Sequence, residues 1–201
     1  MDERILETTP PALILASTSR YRQAVIGKLH LPFTTASPQV DEAALPGEAP
    51  KAMAQRLACL KAQAICKPDL HAWVIGSDQV VCLNGKILGK PGYEAQAREQ
   101  LTAMSGQEVL FHTAVALCDT RTGRTECAID TAQVTFRTLS VGEIDRYLKQ
   151  DQPFDCAGSF KSEGYGITLV ERIRTDDPNT LIGLPLILLG NMLRKRGFNV
   201  P

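Results

Sequence analysis

AWVIGSDQVVCL, residues 72–83, is followed at once by Asn84-Gly85. A run dominated by Trp, Val, Ile and Leu predicts a buried strand, and Asn-Gly is the strongest short hairpin signal because both residues tolerate positive φ. A carboxylate, Asp78, follows the apolar first half of that strand. Downstream, GKILGKP (85–91) makes a short return, and Tyr93, Ala97, Leu101 and Met104 recur at helical period up to Gly106. Residues 108–118 and 124–137 read as two long strands joined by the polar turn 119–123. Ser140 and Glu143 have capping-box spacing ahead of Val141, Ile144 and Leu148. The glycine- and serine-rich CAGSFKSEGYG (156–166) is a loop, with a strand at 167–171 and a last helix at 184–196 to follow.

Upstream of the same strand the pattern changes. Ala12 to Ala16 is a short buried-strand run ended by the polar turn STSR, and Tyr21, Val25 and Leu29 share a face over 20–30. Residues 33–37 suit a second strand, and VDEAALPGEAP (40–50) is a turn-rich loop. Pro50 opens a helix whose stripe is Met53, Leu57, Leu60 and Ala64. Helices alternate with strands in this half, whereas the middle is antiparallel. The expectation is an α/β domain over 12–201, with a mixed, partly antiparallel twisted sheet flanked by helices and two lobes around a cleft. Residues 1–11 read as a poorly ordered leader.

The 201 residues carry 22 Lys plus Arg against 22 Asp plus Glu, so no net basic field exists to hold a long nucleic acid. An anionic partner must be small and held locally. The most apolar stretch, 181–189, is nine residues with Gly183 and Pro185 inside it, too short for a membrane span. Six cysteines without a C-x-x-C pair and three scattered histidines suit neither a zinc site nor a disulfide scaffold. Reduced thiols in a cytoplasmic protein are expected.

Four polar clusters follow strands or open helices, where α/β proteins place their sites. STSRYR (17–22) puts hydroxyls, backbone N–H groups and arginines at a helix start, an anion site or simply a cap. Asp78 has the setting of a carboxylate that holds metal or orients a nucleophile, and Asp41-Glu42 offers a second acid. GKILGKP is not a phosphate-binding P-loop, since its glycines are one residue too close and Pro91 replaces the hydroxyl. Lys90 still offers a point charge to a phosphate. GSFKSEGYG (158–166), with Lys161, Glu163 and Tyr165, reads as a loop able to close over a ligand, or as ordinary surface. Lys61, in mid-helix, carries the least signal by itself.

Taken in order, LILASTSRYR, VDE, L-x-x-x-K-A at 57–62, VIGSDQVV, GKP, AGSFKSEGYGITL and DPNTLIGLPL resemble the Maf family over nearly the whole chain. That resemblance implies an ITPase-like fold and a nucleoside triphosphate pyrophosphatase. SDQV and GSFKSEGYGITL are similar to the YceF branch, whose implied substrate is 7-methyl-GTP. Sister branches are implied to take dTTP and UTP, or to be broader house-cleaning enzymes. A non-catalytic nucleotide-binding regulator of septum formation is the alternative from another class.

The resemblance implies Asp78 as proton acceptor, Glu42 and Asp78 as metal ligands, and Ser17, Arg22, Lys61, Lys90 and Lys161 as phosphate-handling residues. Tyr21, Gln79 and Glu163 are implied to choose the base. The cofactor implied is a divalent cation, magnesium or manganese, and the partner a small nucleotide, with neither membrane nor long nucleic acid. The oligomeric state is open, a homodimer included. The family pattern S-x-S-x-R-R has two adjacent arginines, whereas Arg22 here is followed by Gln23.

Overall fold

The strand at 72–83 forms as its sequence predicts and becomes the spine of the molecule. In a computed structural model describing residues 11–201, β1 (Ala12–Ala16), β2 (Thr34–Ala36), β3 (Ala72–Leu83), β4 (Lys86–Leu88), β5 (Glu108–Asp119), β6 (Thr125–Phe136) and β7 (Val170–Arg174) form one sheet. Its order is β2-β1-β3-β5-β6-β7, with β4 paired to β3. β1 runs parallel to β2 and β3, and every other pairing is antiparallel. The leader reading, Pro11 apart, falls outside the described residues.

β3 is bordered differently along its two edges. On one edge β5 accompanies it from Trp73 to Cys82. On the other, β1 pairs only as far as Ile75 and β4 only from Val81. Between them Gly76 to Val80 has a neighbouring strand on one side alone, so the sheet forks at Asp78. The fork lies past the carboxyl end of β1, where open α/β sheets leave a crevice.

Five helices cover the sheet: α1 (Arg20–Gly27), α2 (Pro50–Ile65), α3 (Glu94–Met104), α4 (Val141–Asp151) and α5 (Leu186–Arg194). Tyr147, Leu101, Met104, Phe111 and Phe136 make one core under α3 and α4; Leu15, Ile26, Ile75, Leu117 and Leu193 make a second under α1 and α5. A third, beneath α2, is built from small residues such as Ala54, Ala58 and Ala62.

That third core corrects the helical stripe expected for α2. The face turned to the sheet is Ala54, Leu57, Ala58, Lys61 and Ala62, while Leu60 and Ala64 are exposed. The cause is Gly76. A Cβ there would stand 2.1 Å from the Ala58 carbonyl oxygen and 2.6 Å from the Ala62 nitrogen. Only a glycine under alanines lets the helix backbone lie this close to β3, and the close approach carries Lys61 inward.

The capping box at Ser140 and Glu143 forms with both of its bonds, and Asn84 and Gly85 both take the positive φ of the hairpin turn. The strand expected at 167–171 is displaced. Residues Tyr165–Leu169 form a 3₁₀ turn and β7 begins at Val170. The turn is held by Gly166 N–H on the Asp151 carboxylate and by Arg137 Nε on the Thr168 carbonyl.

Candidate active site

At the fork, Asp78 is 6% exposed and Lys61 equally so. Lys61 Nζ lies 2.6 Å from Asp78 Oδ1 and 2.7 Å from Glu42 Oε1, so one ammonium joins two carboxylates from different segments. Lys61 carries the weakest single-residue signal in the sequence, yet it is the centre of the cluster. Burial pushes the Asp78 carboxyl above its ordinary value, against the pull of Lys61 and Arg22, and Glu42 adds to the rise. Glu42 goes the other way. Its partial burial is outweighed by the Lys61 hydrogen bond and by the charges of Lys61, Lys90 and Arg22, which hold it low. Two carboxylates on one cation are thus driven apart, Asp78 being the more basic.

The STSRYR segment forms the adjacent wall. Ser19 caps α1, its Oγ accepting from Arg22 N–H at 3.4 Å, and Ser17 Oγ accepts from Ser19 N–H at 3.1 Å. Arg22 Nε donates to the Gly183 carbonyl at 2.8 Å, which fixes the guanidinium stem. Burial lowers the Arg22 pKa, while Asp78 and Glu42 act to raise it. Counted from Ser17 and Ser19, the two arginine places of S-x-S-x-R-R fall on residues 21 and 22. The departure from the pattern therefore stands at Tyr21, not at Gln23, and Arg22 is the arginine retained.

Gln79 is tied down more firmly than its sequence context suggests. Its Nε2 donates to Thr113 Oγ1 and the Thr180 carbonyl, both at 2.9 Å, with the Leu181 carbonyl at 3.3 Å. Carbonyls only accept, so the amide orientation is fixed and Oε1 is left for a ligand. The DPNTLIG segment that supplies these carbonyls also supplies Gly183 O to Arg22 and Ser77. Its role in aiming site side chains has no single-residue signature in the sequence.

Two cavities meet here. One, of about 310 Å³, is walled by apolar Met53, Leu57, Val80, Ile87, Leu88, Phe160 and Leu181, with Asp78, Gln79, Cys156 and Glu163 as polar groups. The other, of about 370 Å³, is lined by Ser17, Thr18, Ser19, Arg20, Ser37 and Pro38. Ser19, Tyr21, Arg22, Glu42, Lys61, Lys90 and Asp155 belong to both. An apolar cavity opening into a hydroxyl- and cation-lined one suits a ligand with a flat ring at one end and anions at the other.

Asp155, missed from the sequence, accepts from Tyr21 OH at 3.4 Å and lies 3.9 Å from Arg20. The Tyr21 ring stands 4.9 Å from Arg20 Cζ and 6.0 Å from Lys161 Nζ, so its face already attracts cations. Desolvation pushes the Tyr21 hydroxyl up to about 12, which keeps it protonated. Lys161 sits at this rim, outside the lining of either cavity. The site thus brings together nine of the ten expected residues.

Residues 12–196 match the family model described as Maf-like protein. The chain belongs to the Maf family. Among Maf relatives, a protein named 7-methyl-GTP pyrophosphatase in Xanthomonas axonopodis pv. citri is 54% identical over 191 residues, 95% of this chain and 100% of that one. Proteins of the same name in Polaromonas and Cupriavidus metallidurans are each 51% identical, spanning 96% and 94% of this chain and 88% and 96% of their own. A solved nucleoside-triphosphatase (dITP/XTP pyrophosphatase) from Mycobacterium abscessus aligns with this Maf chain over 92% of its length at 13% identity and TM-score 0.44.

Among the described residues no three His, Cys, Asp or Glu side chains converge as a metal cage. The hard oxygens of Glu42 and Asp78 nonetheless fit a small divalent cation shared with phosphates, since magnesium is commonly held by one or two carboxylates plus substrate. No helix of the described residues is long and apolar enough to cross a membrane, and all six cysteines are free.

Proposed function

We infer that this protein hydrolyses 7-methyl-GTP to 7-methyl-GMP and pyrophosphate, with water attacking the α-phosphorus. The observation that carries the reading is the fork itself. A buried, unusually basic carboxylate stands where an apolar cavity meets a cation-lined one, in a chain half identical to relatives bearing that name. The triphosphate lies along Ser17, Arg22 and Lys90, with Lys161 reaching it when the loop 158–166 closes. Asp78 takes the proton of the attacking water, and its raised pKa makes it a better base than a solvated carboxylate. Lys61 keeps Asp78 and Glu42 in register, and Arg22 faces the charge that grows on the leaving group. Glu42 and Asp78 would hold a magnesium or manganese ion with phosphate oxygens, and the chemistry such an ion supplies is neutralisation of the departing pyrophosphate.

The base enters the apolar cavity. Glu163 accepts from guanine N1–H and the exocyclic amine together, a donor pair that thymine and uracil lack. Methylation at N7 makes the ring cationic, which favours the Tyr21 face and the nearby carboxylates. The six free thiols support a cytoplasmic enzyme working on free nucleotide.

A panel of methylated and plain nucleoside triphosphates, read by released pyrophosphate, tests the substrate. 7-methyl-GTP should have the highest kcat/KM; equal rates on dTTP or UTP would favour the pyrimidine or broad-specificity reading. In the same panel Glu163→Gln should cost 7-methyl-GTP about ten- to a hundredfold and leave UTP level or faster. Tyr21→Ala should shrink the ratio of methylated to plain GTP. A uniform loss over all substrates would remove both residues from base selection.

With excess chelator, turnover should vanish and return on adding magnesium, while the thermal transition stays put because no protein-only cage among the described residues depends on metal. Full activity in chelator would eliminate the divalent cation from the reaction.

A further inference from the structure

Residues 37–49, between β2 and α2, contain neither helix nor strand, yet they carry Glu42. The Glu42 side chain is 56% exposed, and Lys61 is its ion-pair partner. Arg56, in the second turn of α2, holds the backbone of this loop. Its Nε donates to Glu48 Oε1 at 2.6 Å and its Nη2 to Glu48 Oε2 at 2.7 Å, a two-bond fork. The same Nη2 reaches the carbonyl of Ala43, the residue next to Glu42, at 3.0 Å. Glu48 Oε2 also accepts from Leu45 N–H at 3.2 Å, and Asp41 Oδ1 accepts from Ala43 N–H at 2.9 Å. The Glu48 side chain is 9% exposed and that of Arg56 23%.

We propose that Arg56 and Glu48 are positioning residues that clamp the 41–48 segment so that Glu42 stands ready for the divalent cation arriving with the substrate. This rests on Glu42 being a ligand of that cation. α2 then acts as a template at two points, Lys61 holding the Glu42 carboxylate and Arg56 the peptide beside it. The fork needs a planar guanidinium; a lysine at 56 would keep the charge but could not bridge both Glu48 oxygens and Ala43 O together. With the clamp loosened, Glu42 is in place for only a fraction of the time. The apparent affinity for the cation falls by that fraction, whereas the chemical step at saturating metal is untouched.

Arg56→Lys and Glu48→Gln are compared with wild type in three measurements. These are the magnesium concentration giving half-maximal turnover, calorimetric binding of a non-hydrolysable 7-methyl-GTP analogue with and without magnesium, and the rate of proteolytic cutting within 41–49. The clamp predicts a half-maximal magnesium concentration raised about three- to tenfold, with kcat at saturation within about twofold. It also predicts analogue binding unchanged without metal but weaker with it, and faster cutting of the loop. Variants with the wild-type magnesium requirement, or a lower kcat at an unchanged requirement, would overturn the clamp and leave the metal reading intact. A wild type needing no divalent cation would overturn the role of Glu42 and the clamp together. Should Arg56→Lys not fold, Glu48→Gln alone supplies all three readouts.

Discussion

Asp78→Asn should lower kcat by about 10² to 10⁴ while nucleotide binding largely survives. The substitution keeps the side-chain shape and removes the proton acceptor with its charge; binding is compared without metal, where the triphosphate gains nothing from a nearby anion. The pH profile carries a second signature. The proposed role as proton acceptor requires Asp78 ionised, so kcat/KM should fall as pH drops through its folded pKa. Burial has raised that pKa above the ordinary carboxylate value of about 3.9, so the acid limb should lie on the neutral side of it. In Asp78→Asn the limb should be absent. Stability should move the other way. A pKa raised by folding means that ionised Asp78 opposes the fold at neutral pH, a cost that the neutral amide removes while Lys61 keeps Glu42. Thermal unfolding at pH 7 should therefore be no lower than in wild type. A variant retaining more than about a tenth of the wild-type kcat would take Asp78 out of the chemistry.

The second large effect is structural. Gly76→Ala drives a methyl group against the Ala58 carbonyl and the Ala62 nitrogen, both backbone atoms that cannot swing aside. Overpacking by one methyl typically costs 1–3 kcal/mol, and a backbone collision belongs at the upper end, about 3 kcal/mol or more. For a chain of this size that is roughly 6–12 °C in Tm, measurable by circular dichroism. The folded fraction should also turn over more slowly, because α2 must lift and Lys61 lifts with it. Gly27→Ala is the control, since a Cβ there meets nothing within 4 Å, and its Tm should hold or rise slightly. An unchanged Tm for Gly76→Ala would mean that α2 does not sit on β3 as described.

These two sites also show how far the sequence could be read. The strand 72–83, its Asn-Gly turn and the Ser140 cap are written in local chemistry, and they form within a residue of expectation. Large apolar side chains alone do not mark the buried face of α2. This helix packs instead by smallness, alanines against a glycine, so Leu60 faces outward and a lysine faces in. Ile167 and Leu169 look strand-like, yet β7 begins only at Val170, because the bonds from Asp151 and Arg137 that bend Tyr165–Leu169 into a turn come from elsewhere in the chain.

The candidate site was legible for a different reason. Its residues fall in short ordered motifs, and the motifs named Asp78, Glu42 and Lys61 before any geometry did. What the motifs could not supply is the fork in the sheet. Nor could they supply the carbonyls of Thr180, Leu181 and Gly183, which aim Gln79 and Arg22, or Asp155 at the junction of the cavities. Each of these is a product of chain reversal over long sequence separations.

Hydrolysis of 7-methyl-GTP in water labelled with heavy oxygen, with mass analysis of both products, tests the mechanism most directly. Attack at the α-phosphorus beside Asp78 puts the label in 7-methyl-GMP and leaves pyrophosphate unlabelled. Label in pyrophosphate, or release of labelled orthophosphate, would place the attack at another phosphorus and contradict the assignment of Asp78 at the fork.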